Sequence, residues 1–229
     1  MDKKRAAAIL LAVSLAVPAL IGAAKLFGPK PGEDTQALAA RAEAAETLRD
    51  FVTTLDAADD QTYTAWYTTG TGLAIVSANE PPRHVYRSPA GQYVSGPEAT
   101  YACRTPENER PVCARTAGVD GVPLTHARAL IELLQGSFAA PEVIASWLSR
   151  AATNPPGKVI RSEQVHAEQA GSCVAIEKVF TACATPLGVL TYFESPDAKL
   201  TLTQFKAGAP AAEMFSLPKG AAVTDGEPG

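Results

Sequence analysis

Four cysteines, three histidines and a scatter of carboxylates are the groups in this 229-residue chain most able to do chemistry. The cysteines are Cys103, Cys113, Cys173 and Cys183, two pairs of identical spacing. Four cysteines allow three connectivities. The spacing favours Cys103–Cys113 and Cys173–Cys183, because each pair brackets a short segment that can fold back as a hairpin. Closing such a loop restricts the unfolded chain by about 2.5–3 kcal/mol in the entropy model. A zinc site is the competing reading, but zinc wants close pairs such as C-x-x-C, and none is present. Free buried thiols are the remaining alternative.

The other candidates are weaker. His84, His126 and His166 fall on three separate elements, outside any H-E-x-x-H arrangement, and each reads as a surface or strand-edge residue. There is no G-x-S-x-G elbow. Gly157-Lys158 lacks the earlier glycine and the following hydroxyl residue of a phosphate loop. Asp59-Asp60 reads as a solvated loop, and no pair of acids stands out for proton transfer. The expectation is a protein that is not an enzyme, with no catalytic residue, no metal and no cofactor. A formal charge of −4 without a basic stripe gives no reason to expect nucleic acid.

The start of the chain reads as an export segment. Lys3, Lys4 and Arg5 precede an uncharged run from Ala6 to Ala24, the pattern of a secretion signal. Gly22, Ala23 and Ala24 are small enough for cleavage before Lys25. The run is also long enough, at about 1.5 Å per residue, to approach the bilayer core as an anchor. Both outcomes stay open, and both put the remainder outside the cytoplasm, where disulfides persist. No cysteine follows the run, which excludes lipid attachment at a processed N-terminal cysteine. Residues 25–34, with Gly28, Pro29, Pro31 and Gly32, read as a linker.

The elements that must position any site come next. Asp34 or Thr35 can cap a helix running to about Ala57, with Leu38, Ala42, Ala45, Leu48, Val52 and Leu55 on one face. Strands are expected over Thr62–Thr68, Leu73–Ala78, His84–Arg87, Gln92–Val94, Ala99–Arg104 and Val112–Thr116. Helices are expected over Thr125–Leu134 and Pro141–Ala152, the latter with Val143, Ile144, Trp147 and Leu148 as its apolar face. A second meander covers Lys158–Ala167, Ser172–Ile176, Val179–Ala184, Val189–Glu194 and Lys199–Lys206. Residues 224–229 read as a disordered tail. The order helix, strands, helices, strands predicts an α+β fold: an antiparallel sheet with helices on one face.

Tyr63-Thr64-Ala65-Trp66-Tyr67-Thr68 after an amphipathic helix is one of several pieces whose order is informative. Pro82-Arg83-His84-Val85-Tyr86-Arg87 ahead of Gly91-Gln92-Tyr93-Val94 is another. Gly188-Val189-Leu190-Thr191-Tyr192 and the closing Phe215-Ser216-Leu217-Pro218-Lys219-Gly220-Ala221 complete the set. In this order they resemble the LolA-like superfamily, which includes the LolA lipoprotein carrier and the LppX/LprG-type lipid-binding proteins of actinobacteria. The resemblance spans residues 35–223. It implies a strongly curved antiparallel sheet, a half-barrel, with helices covering its concave face and hydrophobic ligands bound between them.

Strand alternation then proposes inward-facing residues. Trp66, Ile75, Val85, Tyr93, Leu190, Tyr192 and Leu202 would line an apolar pocket, with Trp147 and Leu148 as a helical lid. The same pattern also describes a filled core. The functional expectation is an extracytoplasmic protein that binds, carries or presents lipid or another hydrophobic ligand at the cell envelope. The alternative is a membrane-tethered interaction or envelope-stress sensory module with a membrane-protein partner. In either case the N-terminal segment is the link to the membrane.

Overall fold

The computed structural model describes residues 31–226, apart from 108, 120–122, 124–125, 127–129, 131 and 135–139. The export segment, residues 1–24, and the last three residues of the expected tail lie outside the described residues. The chain divides into two compact units, Met1–Ala42 and Glu43–Gly229. One helix, α1 (Pro31–Asp56), contributes to both. It begins four residues before Thr35 and so takes in the end of the expected linker. In the first unit, residues 35–42 are all exposed, and Leu38 is 65% exposed. The second unit holds everything below.

In that unit α1 buries Ala44, Thr47, Leu48, Phe51 and Leu55, which recur at helical spacing and form one face. A 3-10 turn over Ala57–Asp60 leads into β1 (Tyr63–Thr69), β2 (Ala74–Glu80), β3 (Arg83–Ser88), β4 (Gly91–Ser95), β5 (Ala99–Arg104) and β6 (Val112–Ala117). Helix α2 (Pro141–Thr153) starts with proline in its first turn, where a missing N–H costs nothing. Then follow β7 (Val159–His166), β8 (Gln169–Ile176), β9 (Phe180–Ala184), β10 (Leu190–Glu194), β11 (Lys199–Ala207), a 3-10 turn over Ala212–Phe215 and β12 (Ala222–Asp225). Of the helix expected over Thr125–Leu134, Leu130, Glu132 and Leu133 are helical, and much of the rest lies outside the described residues.

The strands form one sheet in the order β12-β6-β5-β4-β3-β2-β1-β11-β10-β9-β8-β7. Each meander is locally paired, and β1 joins the two by pairing with β11. The ends of the order, β12 and β7, belong to opposite edges, so the sheet is not closed. Strand β7 nevertheless contacts β10 and β11. In a flat sheet three spacings of about 4.8 Å would keep β7 from β10, so this end curls strongly. The expected α+β class is observed: a curved, open half-barrel sheet with helices on one face.

Strand β12 departs from expectation. It pairs with β6 in parallel, Asp225 opposite Arg115, so the sheet is not wholly antiparallel and Thr224 and Asp225 are not tail. The segment is short, half-exposed and without alternation, so its signal lies in the partner: Ala222 N–H donates to Pro111 O and Gly226 N–H to Arg115 O.

Both expected disulfides are present. Cys103 lies directly opposite Cys113 across β5 and β6, and Cys173 opposite Cys183 across β8 and β9, with Cα separations of 3.9 and 4.0 Å. Such staples suggest an extracytoplasmic location. Among the described residues, no helix is long and apolar enough to cross a membrane.

Candidate ligand pocket

The helix-covered face of the sheet has two characters. Over β8–β11 it is aliphatic and aromatic hydrocarbon: Val174, Ile176, Phe180, Leu190, Leu200 and Leu202 all lie in the main core. Over β1–β4 it is lined by phenols. Tyr63 and Tyr67 alternate on β1, Tyr86 sits on β3, and the register sets Tyr93 of β4 opposite Tyr86. All four rings are buried, so each hydroxyl needs a partner. Tyr67 donates to the Leu190 carbonyl at 3.1 Å, and Tyr93 meets His126 Nδ1 at 2.8 Å. Tyr86 donates to the Glu142 carboxyl, 2.9 and 3.1 Å from its two oxygens. Ser77 partners the Tyr63 hydroxyl. Burial pushes all four phenols up.

His84 belongs to the same row, two residues before Tyr86 and opposite Asn79 of β2. It is 4% exposed, which corrects its reading as a surface or edge residue. Its Nε2 lies 3.3 Å from Ser77 Oγ and its Nδ1 3.7 Å from Glu142 Oε1. Burial lowers its pKa to about 4, against a small opposing pull from Asp59, so the ring is neutral at physiological pH. The His84–Glu142 approach is therefore not an ion pair there.

Asn79 positions the third group. Its amide nitrogen donates to the carbonyls of Ala58, Asp59 and Gln61 at 2.9–3.0 Å, tying the turn after α1 to the sheet. Gly188 secures the same region from the other side. Its φ is +85°, and a Cβ there would stand 2.3 Å from Thr54 O and 2.6 Å from Ala58 N. Only glycine fits so close an approach. Asp59 thus stands at a fixed place rather than in a free loop, and its pKa is raised by partial burial and then by the Glu142 charge.

Between the end of α1, the start of α2 and strands β1 and β3 lies a cavity of about 330 Å³. Its polar lining includes Asp56, Asp59, His84 and Glu142, and its apolar walls include Val52, Leu55, Pro123 and Pro141. The space exists because α2 presents Ala145, Ser146 and Ser149, side chains too small to fill it. Glu142 is the buried acid of the cavity, its side chain 17% exposed. A carboxylate in the first turn of a helix is ordinarily favoured. Here burial dominates and lifts its pKa to about 7, against its own backbone N–H and the Tyr86 hydroxyl, which pull it down. Among the described residues, no lysine or arginine lines the cavity. Nor, among them, are three His, Cys, Asp or Glu side chains grouped to hold a metal.

The residues singled out from sequence are dispersed. Ile75, Tyr93, Leu148, Leu190 and Leu202 join the main core. Val85 points to the opposite face, where it packs with Ala78 and Val94 beneath Met214, Phe215 and Leu217. Trp66 also lies off the helix-covered face, between Ala65 and Tyr67. Tyr192 does not share a face with Leu190, because a register shift separates them, and it stacks on His166 instead. Trp147 is 39% exposed and meets Phe180 edge-on, while Ala145 and Ala152 take the buried side of α2 with Ile144 and Leu148. None of these nine residues lines the acid cavity. Of its own groups, Tyr63 and His84 lie on strands and Glu142 on a helix, and no shared sequence pattern marks them.

No family model matches the chain, and no curated protein does. Among solved structures, an uncharacterised conserved protein from Thermus thermophilus is similar at 8% identity, with a TM-score of 0.44 over 78% of this chain and 99% of that one.

Proposed function

We propose that this is an extracytoplasmic binding protein that takes a small, largely apolar ligand in the cavity between α1, α2 and the sheet. The observation that carries the reading is the contrast within one core. The tyrosine half keeps a void of about 330 Å³ faced by the buried His84 and Glu142, in the range of small-molecule pockets, whereas the hollows against the hydrocarbon half are rimmed by exposed side chains such as Arg161, Glu163, Glu177 and Lys178. Apolar walls with a few converging polar groups are the usual make-up of such a site. The resemblance to LolA-like proteins supports the same class of activity, a hydrophobic molecule held between helices and sheet. Residues 1–24 would hold the domain at the membrane or be removed on export.

Native mass spectrometry of the protein from an exporting host, followed by solvent extraction, tests this. A stoichiometric small-molecule or lipid adduct is expected. A bare mass that persists after exposure to extracts of the native membrane would defeat the reading. In that case the interaction-module alternative gains, and one feature favours it: β7 ends the sheet and exposes Ile160 and Val165, as a strand that accepts a partner's strand does.

A further inference from the structure

We infer that the ligand of this cavity carries a protonated amine, with Glu142 as its counter-charge. This rests on the reading of the cavity as a ligand site and narrows its chemistry. Three carboxyl side chains, Asp56, Asp59 and Glu142, line the cavity, and none of its described lining residues is cationic. The two titratable groups nearest Glu142 are His84, neutral by burial, and Tyr86, which serves as a donor. Neither supplies positive charge, so the site is acidic without internal compensation. The other titratable groups around it are Asp56 at the end of α1, Asp59 in the turn, Tyr63 and Tyr67 on β1 and Tyr93 on β4, and none of them is cationic.

The hydrogen-bond arithmetic at Glu142 agrees. An ionised carboxylate has about four acceptor positions. Among the described residues, its own backbone N–H and the Tyr86 hydroxyl are the donors that reach it, which leaves acceptor capacity on a mostly buried acid beside an empty volume. An ammonium group offers the charge and three donors in a compact head. A metal ion suits the site less well, since the carboxyl groups are spread along the cavity rather than gathered as ligands. Val52, Leu55 and the two prolines suit a hydrocarbon body attached to that head. An acidic ligand would meet three carboxyl groups with no cation to offset them.

Bound amine changes the proton balance at Glu142. The acid sits near half-ionised at neutral pH. A cation selects the ionised form, so binding releases a proton and strengthens as pH rises through about 7.

The test is calorimetric titration of the full chain with hexylamine, hexanol and hexanoate. Hexylamine should bind about tenfold or more tightly than hexanol, as a charge-assisted contact requires, and hexanoate should bind least. Glu142→Gln should abolish the preference for amine while leaving hexanol binding. A second readout needs no variant: hexylamine titrated in buffers of different ionisation enthalpy should report proton release, and hexanol should not. Equal binding of amine and alcohol would overturn the inference and leave the apolar-ligand reading standing. A preference that survives in folded Glu142→Gln would also overturn it, and so would tightest binding of hexanoate. Binding of none of the three would remove both.

Discussion

The two halves of one core are built to different rules. Around β8–β11 the helices meet Leu190, Leu200, Leu202 and Phe180 in hydrocarbon contact. Around β1–β4 the same helices meet Tyr63, Tyr86 and His84, and α2 itself adds Glu142, polar groups that must each be satisfied inside the protein. Hydrocarbon would have been simpler, because buried polar networks are costly when incomplete. The half that departs from the simple rule is also the half whose void is faced by buried polar groups. Departures of that kind are where function is expected to lie.

Substitutions sharpen this contrast. The largest effect belongs to the hydrocarbon half: Leu202→Ala should cost about 2–5 kcal/mol by urea denaturation, with hexylamine binding unchanged. A small loss there would mean that this half is not tightly packed. Replacing Cys173 and Cys183 by serine should cost about 2.5–3 kcal/mol, and the Cys103–Cys113 pair a similar amount. Equal melting temperatures with and without reductant would argue that neither staple constrains the unfolded chain.

Glu142→Gln acts in the opposite sense. The acid is lifted from 4.5 to about 7 in the fold, so the native state pays an ionisation penalty that is absent below the unfolded value and complete above the folded one. At alkaline pH the variant should therefore be more stable than wild type, by about 1–3 kcal/mol. His84 runs the other way, from 6.5 down to about 4, and stability is lost as pH falls through that window. In the wild type the two slopes oppose each other between 4.5 and 6.5, giving a level region, and stability then declines toward 7. The variant should lose that decline and keep only the rise from about 4 to 6.5. A variant with the wild-type profile would show that Glu142 is not the group responsible.

The smallest contrast compares one substitution at two sites. Ala182→Leu, at a fully buried position of the hydrocarbon half, should cost about 1–3 kcal/mol by overpacking. Ala145→Leu has the cavity to enter, so it should cost clearly less while blocking hexylamine. Equal costs would mean that the cavity closes in solution.

Much of the fold was legible because strand alternation and turn chemistry are local. The eleven strands expected from sequence appear within a few residues of their expected ends, and the cysteine hairpins pair as their spacing suggests. The site was legible only in fragments. Alternation placed Leu190, Tyr192 and Leu202 on one lining, but the register shift between Leu190 and Tyr192 turned Tyr192 away from it. Trp147 was expected in the lid as part of the apolar face of α2, yet Ile144, Ala145, Leu148 and Ala152 take the buried side, and Glu142 meets Tyr86, 56 residues away in sequence. His84 carries no motif, and its burial follows from the register that sets it opposite Asn79. A cavity made by small side chains leaves no positive signal in sequence.

NMR titration of the isotope-labelled protein with hexylamine tests the central claim most directly. Shift changes are expected at Ala58, Tyr63, His84 and residues 141–149, with Val174, Leu200 and Leu202 still. Changes centred on the β8–β11 half, or none at saturating amine, would contradict it.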